Sequence, residues 1–135
     1  MKSKTLAERA AWDFVEREGN GMELAVVNPV GIFGPALNSD LSTTIELIKQ
    51  MLEGRLPGAP RLELGGGDVR DVAGMQVKAM TAPEAAGQRF LAVAGGSLSM
   101  HERSRILVEG LGPKAAKANL RELPDWLVRI VALFN

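Results

Sequence analysis

The chain has no cysteine, no tyrosine and a single histidine in 135 residues. Without cysteine there is no disulfide framework, no thiolate nucleophile and no thiolate-ligated metal. That usage fits a reducing compartment and sets the expectation of a cytoplasmic protein. His101 alone cannot build a histidine-rich metal site, so no metal is expected, and a Ser/His/Asp triad would have no choice of base. An excess of charge of one sign is also missing: 16 basic residues balance 16 acidic ones. A balanced chain with scattered cations offers no electrostatic footprint for nucleic acid or an anionic membrane, and neither partner is expected. Long apolar runs are absent as well. The longest, Trp126 to Phe134, is interrupted by Arg129 and is far too short to span a bilayer. Met1 to Arg9 is polar and charged and does not read as a secretory signal.

What is present alternates between helical and strand-like patterns. Leu6, Ala10 and Phe14 recur at helical spacing beside a second row, Ala7, Ala11 and Val15, which predicts a helix burying a wide apolar stripe. Gly19-Asn20-Gly21 should stop it. Glu23 to Asn28 is a nearly continuous apolar run closed by Pro29, the pattern of a parallel strand buried on both faces. Val30 to Pro35 reads as a glycine-containing loop. A second helix is expected to start at an Asp40 N-cap and to carry Leu41, Ile45, Ile48 and Leu52. Gly54 to Pro60 reads as a turn-rich connector, Arg61 to Leu64 as a short strand, and Gly65 to Gly67 as a loop. Asp71 should cap a third helix, and Arg89 to Ala94 should form another strand. Ser99-Met100-His101-Glu102 is a capping box opening a helix that runs to about Glu109. Pro124 stands at the first turn of a last helix with Leu127, Ile130, Val131 and Phe134 inward. His101 is expected to be exposed, and Gly112-Pro113-Lys114 lacks the other elements of a phosphate loop. The alternation gives an α/β class, yet a helix-covered parallel sheet needs more strands than these, so the sheet is expected to be incomplete.

Three segments, in order, resemble the extended short-chain dehydrogenase/reductases, and their dihydroflavonol reductase-like branch in particular. Lys2 to Glu8 with Ala10-Ala11-Trp12 is similar to the end of the family's Tyr-x-x-x-Lys motif and the helix after it. Val27 to Pro35 (VNPVGIFGP) is similar to the segment closing the next sheet strand, and Asp68 to Ala73 (DVRDVA) to a helix entry in the substrate domain. The resemblance implies the C-terminal part of an NAD(P)-binding Rossmann-type fold plus the small substrate-binding α/β subdomain. Residues 1–40 would close the dinucleotide-binding domain, and 41–135 would be mainly the substrate subdomain, with Rossmann elements possible among them.

The resemblance also implies a reaction: reduction of a carbonyl, or oxidation of an alcohol, on a small organic substrate. Such reduction moves a hydride from a nicotinamide and a proton from an acid. The family's acid is a tyrosine whose phenol, ordinarily near pKa 10, is made usable at neutral pH by a nearby ammonium. Lys4 matches the motif's lysine, with catalytic and ribose-binding roles. Pro29, Val30, Gly31 and Ile32 match a segment that holds the nicotinamide through backbone groups. Ser42, Thr43 and Thr44 could donate to a cofactor phosphate, though such residues more often cap a helix. The cofactor is NADP or NAD, with NADP preferred. The tyrosine would stand immediately before Met1, and the glycine-rich pyrophosphate-binding unit is not in this sequence. The chain is therefore expected to be inactive in isolation, to bind cofactor weakly or not at all, and to self-associate, as a homodimer or otherwise. The alternative is a non-catalytic truncated domain that self-associates.

Overall fold

The computed structural model describes residues 2–133. The chain opens with α1 (Lys2–Glu18), turns at Gly19 to Gly21, and enters β1 (Val26–Pro29) and then β2 (Gly31–Phe33). Next come α2 (Thr43–Leu52), three short strands β3 (Ala59–Pro60), β4 (Glu63–Leu64) and β5 (Gly66–Asp68), and α3 (Val69–Thr81). The remainder is β6 (Arg89–Ala92), β7 (Leu98–Ser99), α4 (Met100–Leu111), β8 (Glu122–Leu123) and α5 (Asp125–Leu133). The strands pair two by two: β1 with β6, β2 with β5 and β3 with β8 are parallel, and β4 with β7 is antiparallel. This is a mixed α/β architecture with short, mostly parallel strand pairs.

Local chemistry explains most element ends. The Ser99 hydroxyl accepts from the Glu102 N–H at 3.1 Å while Glu102 accepts from the Ser99 N–H at 2.8 Å, so the expected capping box is made. The helix it opens reaches Leu111, slightly beyond the expected end. Two expected caps are corrected. Asp40 lies before a tight turn in which its N–H donates to Asn38, and Ser42 caps α2 instead, accepting from Ile45 N–H at 3.4 Å. Asp68, not Asp71, caps α3, because its carboxylate reaches forward to the Arg70 N–H at 2.8 Å.

Two expected loops are strands. Gly31–Phe33 and Gly66–Asp68 pair in parallel, with Gly31 opposite Gly66. Glycine hides this from the sequence: it contributes no side chain to a period-two pattern, yet here it is what lets the strands approach. A Cβ on Gly66 would stand 3.0 Å from the Phe33 ring, and one on Gly31 would stand 3.1 Å from the Gly65 carbonyl oxygen.

Burial also departs from expectation. The segment Leu24 to Asn28 is half-buried rather than buried, since among the described residues β1 has a single sheet neighbour, β6. No residue of α1 is buried; Leu6 and Phe14 point outward, 51% and 48% exposed, and Glu8, Trp12 and Val15 form the inner row. The apolar core sits at the other end of the chain, where Met51, Ala59 and Met100 are packed by Leu47, Ile48, Leu56 and Leu107. In α5 Leu127 is half-buried but Ile130 is exposed; Phe134 and the Val131 side chain lie outside the described residues.

Candidate functional site

Four of the expected site residues, Pro29 to Ile32, follow one another at the carboxyl edge of β1. In open α/β sheets that edge is where ligands bind. Pro29 ends β1 and is exposed; Val30 lies between β1 and β2 and is also exposed; Gly31 and Ile32 are half-buried in β2. Lys4 is an exposed residue in the first turns of α1.

What relates Lys4 to this edge is Glu8, one helical turn further on. Its Oε1 accepts from Arg89 Nε of β6 at 2.6 Å and its Oε2 accepts from Asn28 Nδ2 of β1 at 3.3 Å. These bonds bring α1 to Asn28, near the carboxyl end of β1, and to Arg89 at the start of β6, and Lys4 lies one helical turn before Glu8 on the same face of the helix. The Glu8 carboxyl is held below the usual carboxylate range, chiefly by the Arg89 hydrogen bond, against the opposing effect of burial.

The remaining expected residues are placed as follows. Thr43 is exposed and Thr44 half-buried in the first turn of α2, which packs beside β2. The Ser42 hydroxyl is engaged as the cap of that helix. His101 is half-buried rather than exposed, in the first turn of α4.

Arg103 also borders the site. Its guanidinium lies over the Phe33 ring, 4.9 Å from the centroid, and donates to the Leu64 carbonyl. Sequence reading singled out neither Glu8 nor Arg103. The available signal for Glu8 was its position one turn after Lys4, on the same face. Arg103 gives no sequence signal, because its partners are forty and seventy positions upstream, roughly, on other strands.

Clefts border the β1–β6 pair. One of about 310 Å³ lies at the carboxyl edge of β6, lined by Gly67, Asp71, Val72, Met75 and Leu91 to Ala94. One of about 810 Å³ lies at the opposite, amino-terminal end of β1, between Glu23 to Ala25 and Ala79 to Pro83, and holds none of the expected site residues. No helix among the described residues is long and apolar enough to cross a membrane, and no cluster of three or more His, Asp or Glu among them could hold a metal.

No protein-family model matches the chain. Curated relatives do. The chain is 39% identical over 133 residues to the ketoreductase azaE of Aspergillus niger, covering 93% of this chain and 36% of the relative. It is 38% identical over 120 residues to the NADPH-dependent methylglyoxal reductase GRE2 of Saccharomyces cerevisiae, covering 79% and 33%. Among solved structures it superposes on yeast methylglyoxal/isovaleraldehyde reductase Gre2 complexed with NADPH with a TM-score of 0.73 at 31% identity, covering 87% of this chain and 39% of that one. Gre2 of Candida albicans gives 0.75 at 30% identity, covering 90% and 38%. The chain thus spans about a third of the length of the curated relatives it matches. The first of these relatives is a ketoreductase and the second an NADPH-dependent methylglyoxal reductase. The fold, the three sequence segments and these relatives agree: the chain belongs to the extended short-chain dehydrogenase/reductase family and matches the C-terminal part of its members.

Proposed function

We propose that this chain carries the nicotinamide side of an NADP(H)-dependent carbonyl reductase acting on a small organic aldehyde or ketone. The observation that supports the reading is the tie from Glu8, one helical turn after Lys4, to Asn28 and Arg89, which holds α1 to the β1–β6 pair whose carboxyl end carries the exposed Pro29 and Val30. The residues fit the group: the chain offers an accessible ammonium on α1 and an accessible stretch of backbone at the carboxyl edge of a parallel strand.

NADPH supplies the hydride when bound. The chain's own residues do the rest of what is available to them. The Lys4 ammonium donates to ribose hydroxyls and, by its charge, favours the ionised form of a neighbouring phenol, lowering that phenol's pKa toward neutrality. Pro29 to Ile32 offer backbone groups to the nicotinamide carboxamide, and Thr43 and Thr44 offer hydroxyls near the N-terminus of α2. The chain contains no tyrosine, so the proton donor has to come from elsewhere.

The test is a fusion of residues 1–135 behind the tyrosine-bearing N-terminal part of the yeast methylglyoxal reductase. NADPH oxidation with a small aldehyde is expected from the fusion, and Lys4→Ala should lower kcat/KM by about 10²–10⁴-fold. A fusion whose activity is untouched by Lys4→Ala overturns the assignment. The isolated chain should turn over no NADPH, and calorimetry should give a Kd weaker than about 100 μM, since the nicotinamide contacts alone carry few kcal/mol. A sub-micromolar Kd would contradict the half-site reading.

A further inference from the structure

We infer, on the reading of Lys4 proposed above, that Glu8 is a positioning residue whose bonds to Asn28 and Arg89 fix the roll of α1 and so decide where Lys4 stands. Full burial of an apolar row does not fix that roll. No residue of α1 is buried, and its Leu6 and Phe14 row faces outward. The inner row is Glu8, Trp12 and Val15, of which Glu8 reaches two different strands.

The carboxylate is gripped at both oxygens. Arg89 donates from Nε at 2.6 Å and from Nη2 at 3.4 Å, and Asn28 donates to the same oxygen as Nη2. Trp12 adds a further hydrogen bond from the next turn of the helix. Arg89 and Asn28 lie diagonally across the β1–β6 ladder, where Val26 faces Arg89 and Asn28 faces Leu91. One carboxylate spanning that diagonal constrains both rotation about the helix axis and sliding along it. The Glu8 side chain is only 19% exposed, against 52% for Arg89, so the pair is more covered than an ordinary surface bridge and its charge-assisted bonds count for more. A slip of one residue would turn the helix by about 100°, and Lys4 would turn with it.

The experiment uses the whole chain, isotopically labelled. Residual dipolar couplings along α1 report the helix roll, and an NADPH titration reports affinity. Glu8→Gln and Arg89→Gln are each expected to shift the phase of the couplings in α1 and to weaken NADPH binding by about tenfold. Arg89→Lys, which keeps the charge, should recover part of both. Resonances of the Met51–Met100 core should stay in place. Unchanged couplings in both variants overturn the inference, and so does loss of the whole spectrum in both, which would make the pair a prop for the fold at large. A shifted helix in these variants, with fusion activity untouched by Lys4→Ala, leaves Glu8 as a positioning residue and removes the cofactor reading of Lys4 instead.

Discussion

Asp68 accepts from the backbone N–H of Arg70 and, through both oxygens, from its guanidinium at 2.8 and 2.6 Å. These contacts, the side-chain bonds first, hold its carboxyl down at about 2, below the ordinary 3.8. A folded-state pKa below the unfolded one means the contribution to stability is full above the unfolded value and is lost as pH falls toward 2. Acid titration followed at the Arg70 amide should show its midpoint near 2, and Arg70→Ala should raise it. Asp68→Ala, which removes cap and ion pair together, should lower the Tm by about 3 °C, while Asp68→Asn, still a competent cap, should cost less. A titration midpoint at the ordinary value would show that the ion pair is not kept in solution. The sequence reading puts the cap at Asp71, and only the reach of the Asp68 carboxylate to the Arg70 N–H moves it three positions back. Glu8 was harder still: it reads as one of several charges lying off an apolar stripe, and its partners are 20 and 81 positions away.

Elements with their own chemical punctuation were legible. The Ser99–Glu102 capping box, the glycine stop after α1 and the Arg89 strand all stand where local pattern puts them, because each depends on residues within one or two turns. Elements defined by a partner were not. The inward face of α1 follows from what it lies on, and a mixed row, Glu8 with Trp12 and Val15, turns inward in place of the Leu6–Phe14 row. The pairing of β2 with β5 depends on closeness that only glycine permits, and that closeness makes a graded prediction. Gly34 has φ 138°, and a Cβ there would meet Val69 Cγ1 at 2.6 Å. Gly34→Ala should therefore cost about 2–3 kcal/mol, from backbone strain and overlap together. Gly66→Ala, facing the Phe33 ring at 3.0 Å, should cost about 1–2 kcal/mol. Gly67→Ala meets nothing closer than 3.6 Å and should cost less than about 0.5 kcal/mol. Denaturant unfolding of the three variants checks the order; a Gly67 variant as unstable as Gly34→Ala would contradict the packing described for β5.

For the whole molecule, the balance of covered and uncovered surface matters most. A chain matching about a third of its curated relatives keeps a small core around Met51 and Met100 and leaves Leu6, Phe14, Val77, Met80 and Trp126 largely exposed. Among the described residues β1 has a strand on one side alone, which adds unpaired strand backbone. Self-association is the expected outcome. Light scattering across a concentration series separates its forms: a discrete dimer points to paired α1 helices about a two-fold axis, and a concentration-dependent ladder to strand edges. Leu6→Ser with Phe14→Ser should dissolve the first and leave the second. A monomer at all concentrations that binds no apolar dye would overturn both. Such association is also what the non-catalytic alternative requires, so activity of the fusion protein, not oligomeric state, separates the two functions.

The 81 positions between Glu8 and Arg89 also have a meaning in time. At about 5–20 residues per second, a ribosome that has made the first needs roughly 4 to 16 s to reach the second. Over that interval β1 has emerged without the strand that pairs with it, and α1 without the arginine that holds it. Parallel pairing between distant segments closes late in any case, because the loop must be complete before the contact can form. The half-made chain is thus most open to wrong partners while it is being born, for a period set by sequence distance and elongation rate rather than by the stability of the finished fold.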